Sequence, residues 1–358
     1  MKKRYTFPGF VDVHVHFRDP GMPGAENRRS GASAAWRGGF SAVVTMPNTT
    51  PAGDNVEWIK EQLEDETLPV KIYPSACISR SRAGEEVADL EELAQAGAAF
   101  FTDDGSYVKS DKVMEEAMAR AAELNMCICD HAMDPDILNG GVIRKCALAD
   151  ALKLPVISEE TEVKAISRDI SLCRVTGCRI HIQHISTARG VELVRMAQRE
   201  GLPITAEATP HHLLLCTDDI TRDDAAFKMA PPLGNREDLF ELRRGVKDGV
   251  LMFATDHAPH PFETKNKGFL NSANGIVGLE TAIPITYSVM VEEEGMDIES
   301  WAKAWYEMPR WIIRGVGDLK LTTIEVGEKR RVTVNDFYSL SRNCPYDGME
   351  FDCWAVDR

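Results

Sequence analysis

Short apolar runs closed by polar clusters recur along this chain. There are eight: Phe10–Val15, Ala42–Met46, Val70–Cys77, Ala98–Thr102, Met126–Cys129, Arg179–Gln183, Pro203–Ala208 and Leu251–Thr255. Each is rich in Val, Ile, Phe, Ala or Cys, which suits strands buried on both faces. The stretches between them read mostly as helices: Ser30–Gly38, stopped by Gly38-Gly39, then Val56–Glu64, Glu85–Ala96, Ser110–Leu124, Thr187–Glu200 and Arg236–Lys247. Ser110 and Asp111 are suited to cap the fourth of these. A long insertion separates the fifth and sixth runs, and its tail, Glu159–Leu172, also reads as helix. Eight strands alternating with helices predict an α/β fold, a (β/α)8 TIM-type barrel. Beyond the eighth run, Gly278–Val291 and Ile298–Ile313 read as helices. From about Val316 the pattern turns to β-type pieces such as Arg331–Val334. The expected organisation is a barrel over 1–315 and a carboxyl-terminal segment over 316–358, packed on the barrel or on a neighbouring subunit.

All nine histidines fall in five places, each in or just after a predicted strand: His14 and His16, His131, His181 and His184, His211 and His212, His257 and His260. Parallel barrel strands deliver their carboxyl ends to one rim, so these side chains are expected to meet. His14 and His16, two apart, share a strand face, and Asp12 shares it too as a supporting partner. Asp256, ending the eighth run, comes beside the first run when a barrel closes. Two imidazoles and a carboxylate suit zinc, with a position left for water. A second ion would use His131 and His184, with Asp104 of Thr102-Asp103-Asp104-Gly105 as the bridge. The competing reading of Asp-Asp-Gly is a helix-entry turn. His181, His211, His212 and His257 have weaker claims, and alternation turns His181 away from the face of His184.

Composition narrows the function. The 358 residues hold 41 Lys+Arg against 56 Asp+Glu, a net charge of -15. That balance argues against nucleic acid or anionic membrane as partner. An anionic small substrate would need a local positive site. The best membrane-span candidate, Gly275–Val291, is short and interrupted by Glu280. No signal peptide is apparent, and nine scattered cysteines without Cys-x-x-Cys read as free thiols of a reducing cytoplasm.

The residues also match a known family. The segments Pro8-Gly-Phe-Val-Asp-Val-His-Val-His-Phe-Arg-Asp-Pro-Gly21, Met46-Pro-Asn48, Phe101-Thr-Asp-Asp-Gly105, His181-Ile-Gln-His-Ile-Ser-Thr187, Ala206-Glu-Ala-Thr-Pro-His-His-Leu213 and Ala254-Thr-Asp-His-Ala-Pro-His260 resemble those of dihydroorotases, in the amidohydrolase superfamily. They run in family order over roughly residues 8–282. The resemblance implies that His14, His16 and Asp256 bind a first Zn2+, and that His131 and His184 bind a second where two ions are present. Asp104 would replace the bridging carboxylated lysine of other superfamily members. Arg18, Asn48 and His260 would hold the substrate's free carboxylate, with Ala230, Asn274 and Gly275 also lining the substrate site. The implied reaction is the reversible cyclisation of N-carbamoyl-L-aspartate to L-dihydroorotate, with Asp256 as proton shuttle. A protonated His260 would add to the positive field of Arg18 and metal. The resemblance further implies a homo-oligomer and an association with aspartate carbamoyltransferase as a possible partner.

The chain departs from the family in three places. Only 13 residues precede His14, so the small β-sandwich joining both ends in relatives is expected to be reduced or absent. Ala230 stands where bacterial relatives often have Asn. Asn274-Gly275 replaces an aromatic-Gly or Pro-Gly pair. Two other functions compete. One is a different cyclic amidase of allantoinase or hydantoinase type, against which Arg18 and the aspartate at 104 argue. The other is a non-catalytic partner of aspartate carbamoyltransferase, against which the full ligand set argues.

Overall fold

The computed structural model describes residues 2–65 and 67–356; Met1, Glu66 and residues 357–358, which the sequence reading included in its two segments, lie outside them. Ten strands are formed among the described residues: β1 Lys3–Phe7, β2 Phe10–Val15, β3 Phe40–Thr45, β4 Lys71–Pro74, β5 Cys127–Asp130, β6 Arg179–Ile182, β7 Ile204–Ala208, β8 Leu251–Phe253, β9 Thr322–Arg331 and β10 Glu350–Val356. β2-β3-β4 and β5-β6-β7-β8 are two parallel arcs. The predicted fourth run joins them: Phe101 bridges Ala76 on one side and Ile128 on the other. It forms no continuous ladder, because its neighbour ends at Pro74, which has no N–H to give. A bridge from Val15 to His257 closes the circle, with the His16 amide donating to His257 O at 2.8 Å. The barrel of eight strands is therefore present.

Alternation builds two apolar layers from the same runs. Val11, Val13, Ala42, Val44, Met46, Cys127, Cys129, Met252 and Ala254 pack with one another inside, together with Ile312 and Ile313 from the region after the last barrel helix. Their neighbours Phe10, Val43, Ile72, Ile128, Ile180, Ile182, Leu251 and Phe253 meet the surrounding helices. Each such side chain contributes about 1.5–3 kcal/mol on burial.

The helices follow the pattern, with local differences. Arg28–Gly38, Val56–Leu63, Asp111–Glu123, Ala188–Arg199 and Arg236–Lys247 match their predicted spans closely, and Ser110 caps the third of them through Val113 N. The stretch from Glu85 is helical only over Leu90–Ala96, where Asp89 caps Glu92 N; upstream, Val87 bridges Ser79 in an antiparallel contact. The predicted helix Ile298–Ile313 ends at Tyr306, and Pro309 confines the continuation to a 3-10 turn. The helix expected from Gly278 begins at Ala282.

The sandwich is reduced to one three-stranded antiparallel sheet, β1-β9-β10, with β9 central. Lys3–Phe7 thus pairs with residues from beyond Gly315. Trp301 locks this sheet to the barrel, its ring 6.3 Å from that of Phe7 and 5.6 Å from that of Phe10. Among the described residues no helix is long and apolar enough to cross a membrane. All nine cysteines are free, and eight of them are buried.

Candidate metal centre

The register between β2 and β3 slips after Asp12: Asp12 faces Val43, but Val15 faces Thr45. One extra residue on β2 makes a bulge. The bulge breaks the strict alternation that would have grouped Asp12 with the two histidines. Asp12 instead accepts from Thr255 N (3.0 Å), Thr255 Oγ1 (2.5 Å) and His14 N (3.2 Å). Burial pushes its carboxyl up to about 7 against those three donors. Asp12 fastens the seam between β2 and the end of β8; it is no partner of a His14 or His16 ring.

The six expected ligands converge. His14 Nε2 lies 3.3 Å from Asp104 Oδ1 and 3.5 Å from Asp256 Oδ1, and His16 Nε2 lies 3.0 Å from Asp256 Oδ1 and 3.4 Å from Asp104 Oδ2. His131 Nδ1 is 3.5 Å and His184 Nε2 3.7 Å from Asp104 Oδ1, and these two rings meet at 2.7 Å. Two groups, His14–His16–Asp256 and His14–Asp104–His184, each offer ligand atoms within 4.8 Å of one another. The two aspartates of Asp-Asp-Gly divide the labour. Asp103 accepts from Ile78 N, Ser79 N and Ser79 Oγ, whereas Asp104 faces the histidines.

The centre fits a divalent cation on its own chemistry. His14 Nε2 is buried with no hydrogen-bond partner, although carboxylates stand on two sides of it. Such an orphaned nitrogen costs free energy unless something electrophilic occupies the gap. Burial disfavours the charged form of His14, but the Asp104, Glu207 and Asp256 carboxylates outweigh it and hold its pKa well above the usual value. Burial also works against ionising Asp256, yet His14 and His16 hold it well below the carboxylate range. His184 (φ 34°), Asp256 (φ 48°) and Arg18 (φ 56°) all adopt the left-handed region that non-glycine residues avoid. Such strain persists where surroundings over-determine it, typically at working sites.

Two supporting residues escaped the sequence reading. Glu207, buried on β7, accepts from His14 Nδ1 (2.6 Å), His181 Nε2 (2.9 Å) and His184 N (3.1 Å). It also shows why His181 matters: β6 ends at Ile182, so alternation does not extend to His184, and both histidines meet the same carboxylate. An acid in the otherwise strand-like Ile204–Ala208 was the available signal. Arg82 Nη2 donates to Asp104 O (2.6 Å) and Ser106 Oγ (2.9 Å), holding the loop that presents Asp104.

A cavity of about 350 Å³ opens over the centre. His16, Asp104, His131, His184 and Asp256 reach it, and so do all the expected substrate residues: Arg18, Asn48, Ala230, His260, Asn274 and Gly275. His14 lies beneath. Burial lowers the Arg18 pKa to about 10, which leaves it cationic at neutral pH. Asn48 Oδ1 lies 2.9 Å from His16 Nδ1 and its Nδ2 donates to Asp104 Oδ2 at 3.3 Å, leaving one amide hydrogen over. Gly105, at φ +75°, packs so close to Asn48 Nδ2 that a Cβ would sit 3.2 Å from it. The expectation of a protonated His260 is corrected: burial, then the charges of Arg18 and Lys265, lower its pKa to about 3. Its Nε2 donates to Asn274 O at 2.7 Å, so Arg18 Nη2 at 3.4 Å cannot donate to the same atom.

Of the remaining histidines, His212 and His257 are held by hydrogen-bond contacts. His212 lies between Thr209 Oγ1 and Pro231 O, and His257 Nδ1 accepts from Gly278 N while its Nε2 faces Glu26. His211 is buried, and its Nε2 has no partner.

The chain is similar to known proteins in sequence and in fold. The Dihydro-orotase-like family model matches residues 3–190. The chain is 40% identical over 364 residues to a dihydroorotase of Anoxybacillus flavithermus, covering 99% of this chain and 85% of that one. It is 39% identical over 351 residues to one of Staphylococcus epidermidis, covering 95% and 83%. Among solved structures, L-hydantoinase from Arthrobacter aurescens superposes with a TM-score of 0.87 at 24% identity, over 99% of this chain and 83% of that one. Dihydroorotase from Saccharomyces cerevisiae, in complex with 5-fluoroorotic acid, superposes with a TM-score of 0.76 at 16% identity, over 99% and 98%. At these identities the superpositions speak for the barrel fold alone.

Proposed function

The chain belongs to the dihydroorotase family, and we propose that it performs the family's reaction with the residues gathered at its barrel mouth. It is a hydrolase of cyclic amides that interconverts L-dihydroorotate and N-carbamoyl-L-aspartate, in pyrimidine biosynthesis. What supports the residue assignment most is that the four histidines and two aspartates of the centre converge beneath a cavity that also holds Arg18, Asn48 and His260.

His14, His16, Asp104, His131, His184 and Asp256 would hold one or two divalent ions. We propose zinc, because imidazole and carboxylate donors without thiolate suit it. When bound, the ion supplies Lewis acidity and makes water acidic enough to act as a nucleophile near neutral pH. In the hydrolytic direction Asp256 takes a proton from the attacking water and passes it to the departing ring nitrogen; in cyclisation it does the reverse. Arg18, with the free Asn48 hydrogen and the neutral His260, holds the carboxylate that does not react. This local cationic wall serves an anionic substrate on a protein whose net charge is -15. Cyclisation converts a dianion and a proton into a monoanion and water, so low pH favours dihydroorotate.

Arg18 at the cavity and Asp104 in place of a lysine favour this substrate over allantoin or hydantoin. The intact ligand set weighs against a non-catalytic partner of aspartate carbamoyltransferase. A cytoplasmic enzyme is the reading that free cysteines support. Self-association is proposed from the family resemblance. Association with aspartate carbamoyltransferase remains part of the proposal on family grounds alone. Zinc quantitation joined to side-by-side assays of dihydroorotate, allantoin and hydantoin hydrolysis tests the whole reading. Metal-loaded protein that leaves dihydroorotate intact would refute it.

A further inference from the structure

After β9 the chain runs back along the barrel to its mouth, and there Asn343 enters between two loops that line the cavity. Its Nδ2 donates to Ala258 O at 3.1 Å and to Gly275 O at 3.0 Å, and its Oδ1 accepts from His260 N at 3.4 Å. Its own main-chain O accepts from Val277 N at 3.1 Å. One side chain therefore uses both amide hydrogens and its carbonyl on the loop after β8 and on the segment around Gly275. Ala258, His260 and Gly275 line the cavity, whereas Asn343, 8% exposed, lies behind them.

The two loops need such a fastener. Gly275, at φ +121°, lies so close to Ala258 that a Cβ would stand 2.5 Å from the Ala258 Cβ. The carbonyls of both residues point to the same place and would repel one another without a shared donor. Neighbouring tail residues add to the hold. Ser341 Oγ lies 3.0 Å from His260 O and 2.8 Å from Ala25 O, and Ser339 Oγ donates to Glu26 Oε2 at 2.5 Å. Glu26 in turn faces His257 Nε2 at 3.3 Å.

We propose that Asn343, from the carboxyl-terminal segment, is a positioning residue for the carboxylate-binding end of the active site, setting the spacing of His260 and Gly275 from Arg18. The assignment rests on the proposed reaction. Asn343 touches none of the metal-centre side chains, so its contribution falls on substrate binding and not on turnover of bound substrate. An aspartate here keeps the shape but sets a carboxylate oxygen against the two carbonyls. A serine keeps a polar group but cannot span both loops.

The test uses the metal-loaded full chain carrying N343D or, as the milder change, N343S, with thermal melting recorded for each. In dihydroorotate hydrolysis we expect KM to rise roughly tenfold with kcat within about threefold of the parent. Orotate carries the same carboxylate on a planar ring, and its Kd by calorimetry should rise by a similar factor. Unchanged KM and orotate affinity in a variant that melts like the parent would overturn the assignment. So would a fall in kcat at unchanged KM. If the parent protein itself fails to turn over dihydroorotate, the reaction assignment falls. The orotate titration then still decides whether Asn343 shapes a carboxylate site.

Discussion

Replacing Glu207 with Gln isolates what a buried carboxylate does for the metal centre. The carboxylate accepts three hydrogen bonds, from His14 Nδ1, His181 Nε2 and His184 N. Gln keeps the shape and one carbonyl oxygen. That oxygen can stay at the Oε1 site, serving His14 and His184. The new NH2 then faces His181, whose ring can adapt by carrying its proton on Nδ1 and donating to Thr205 Oγ1, 2.8 Å away. The fold is thus expected to survive. What disappears is the negative charge behind the Nδ1–H of His14, which raises the basicity of Nε2 on the other side of the ring. Loss of such a partner typically weakens metal binding 10- to 100-fold, or about 1.4–2.7 kcal/mol. Glu207→Ala is a harsher comparison. It strands three buried donors at about 1–3 kcal/mol each, so it should lower the melting temperature even without metal. Competition for Zn2+ against a chromophoric chelator, with melting curves of metal-free and metal-loaded protein, measures both effects. If E207Q bound zinc within about twofold of the parent, the claim that Glu207 tunes the centre through His14 would fail.

Other substitutions separate further roles. Asp256→Asn should abolish turnover while the protein still folds, as circular dichroism would show, and near-normal activity would remove it as proton shuttle. Arg18→Gln should raise KM by roughly tenfold to a hundredfold, the weight of a charge-assisted carboxylate contact, and an unchanged KM in steady-state assays would count against it. Lys265 is buried among backbone carbonyls, donating to Lys228 O and Ala273 O. Burial, then the charge of Lys228, lowers its pKa to about 7. Unfolded protein therefore binds this proton more tightly between pH 7 and about 10.4. The cost of the buried charge is present below pH 7 and is relieved as pH rises through that window. Denaturant titrations should show stability rising from pH 7 to 9 in the parent, with a flatter slope in K265M.

The barrel was legible in the chain's own pattern, because strands buried on both faces leave apolar runs that need no partner to be recognised. The convergence of the candidate ligand residues was legible as well. A parallel barrel sends every strand end to one rim, so histidines and acids at those ends must meet whatever their separation along the chain. The rest needed the folded chain. The β2 bulge turned Asp12 away from the metal site, since a one-residue slip reverses the side-chain face and no local pattern records it. Burial, with the charges of Arg18 and Lys265, lowers the pKa of His260. Glu207 and Asn343 find their partners dozens to hundreds of residues away. The reduced sheet likewise needed Lys3–Phe7 to find β9 across the whole chain. In each case the deciding quantity was a distance between remote atoms or the dielectric around them, and both exist only once the chain has closed on itself.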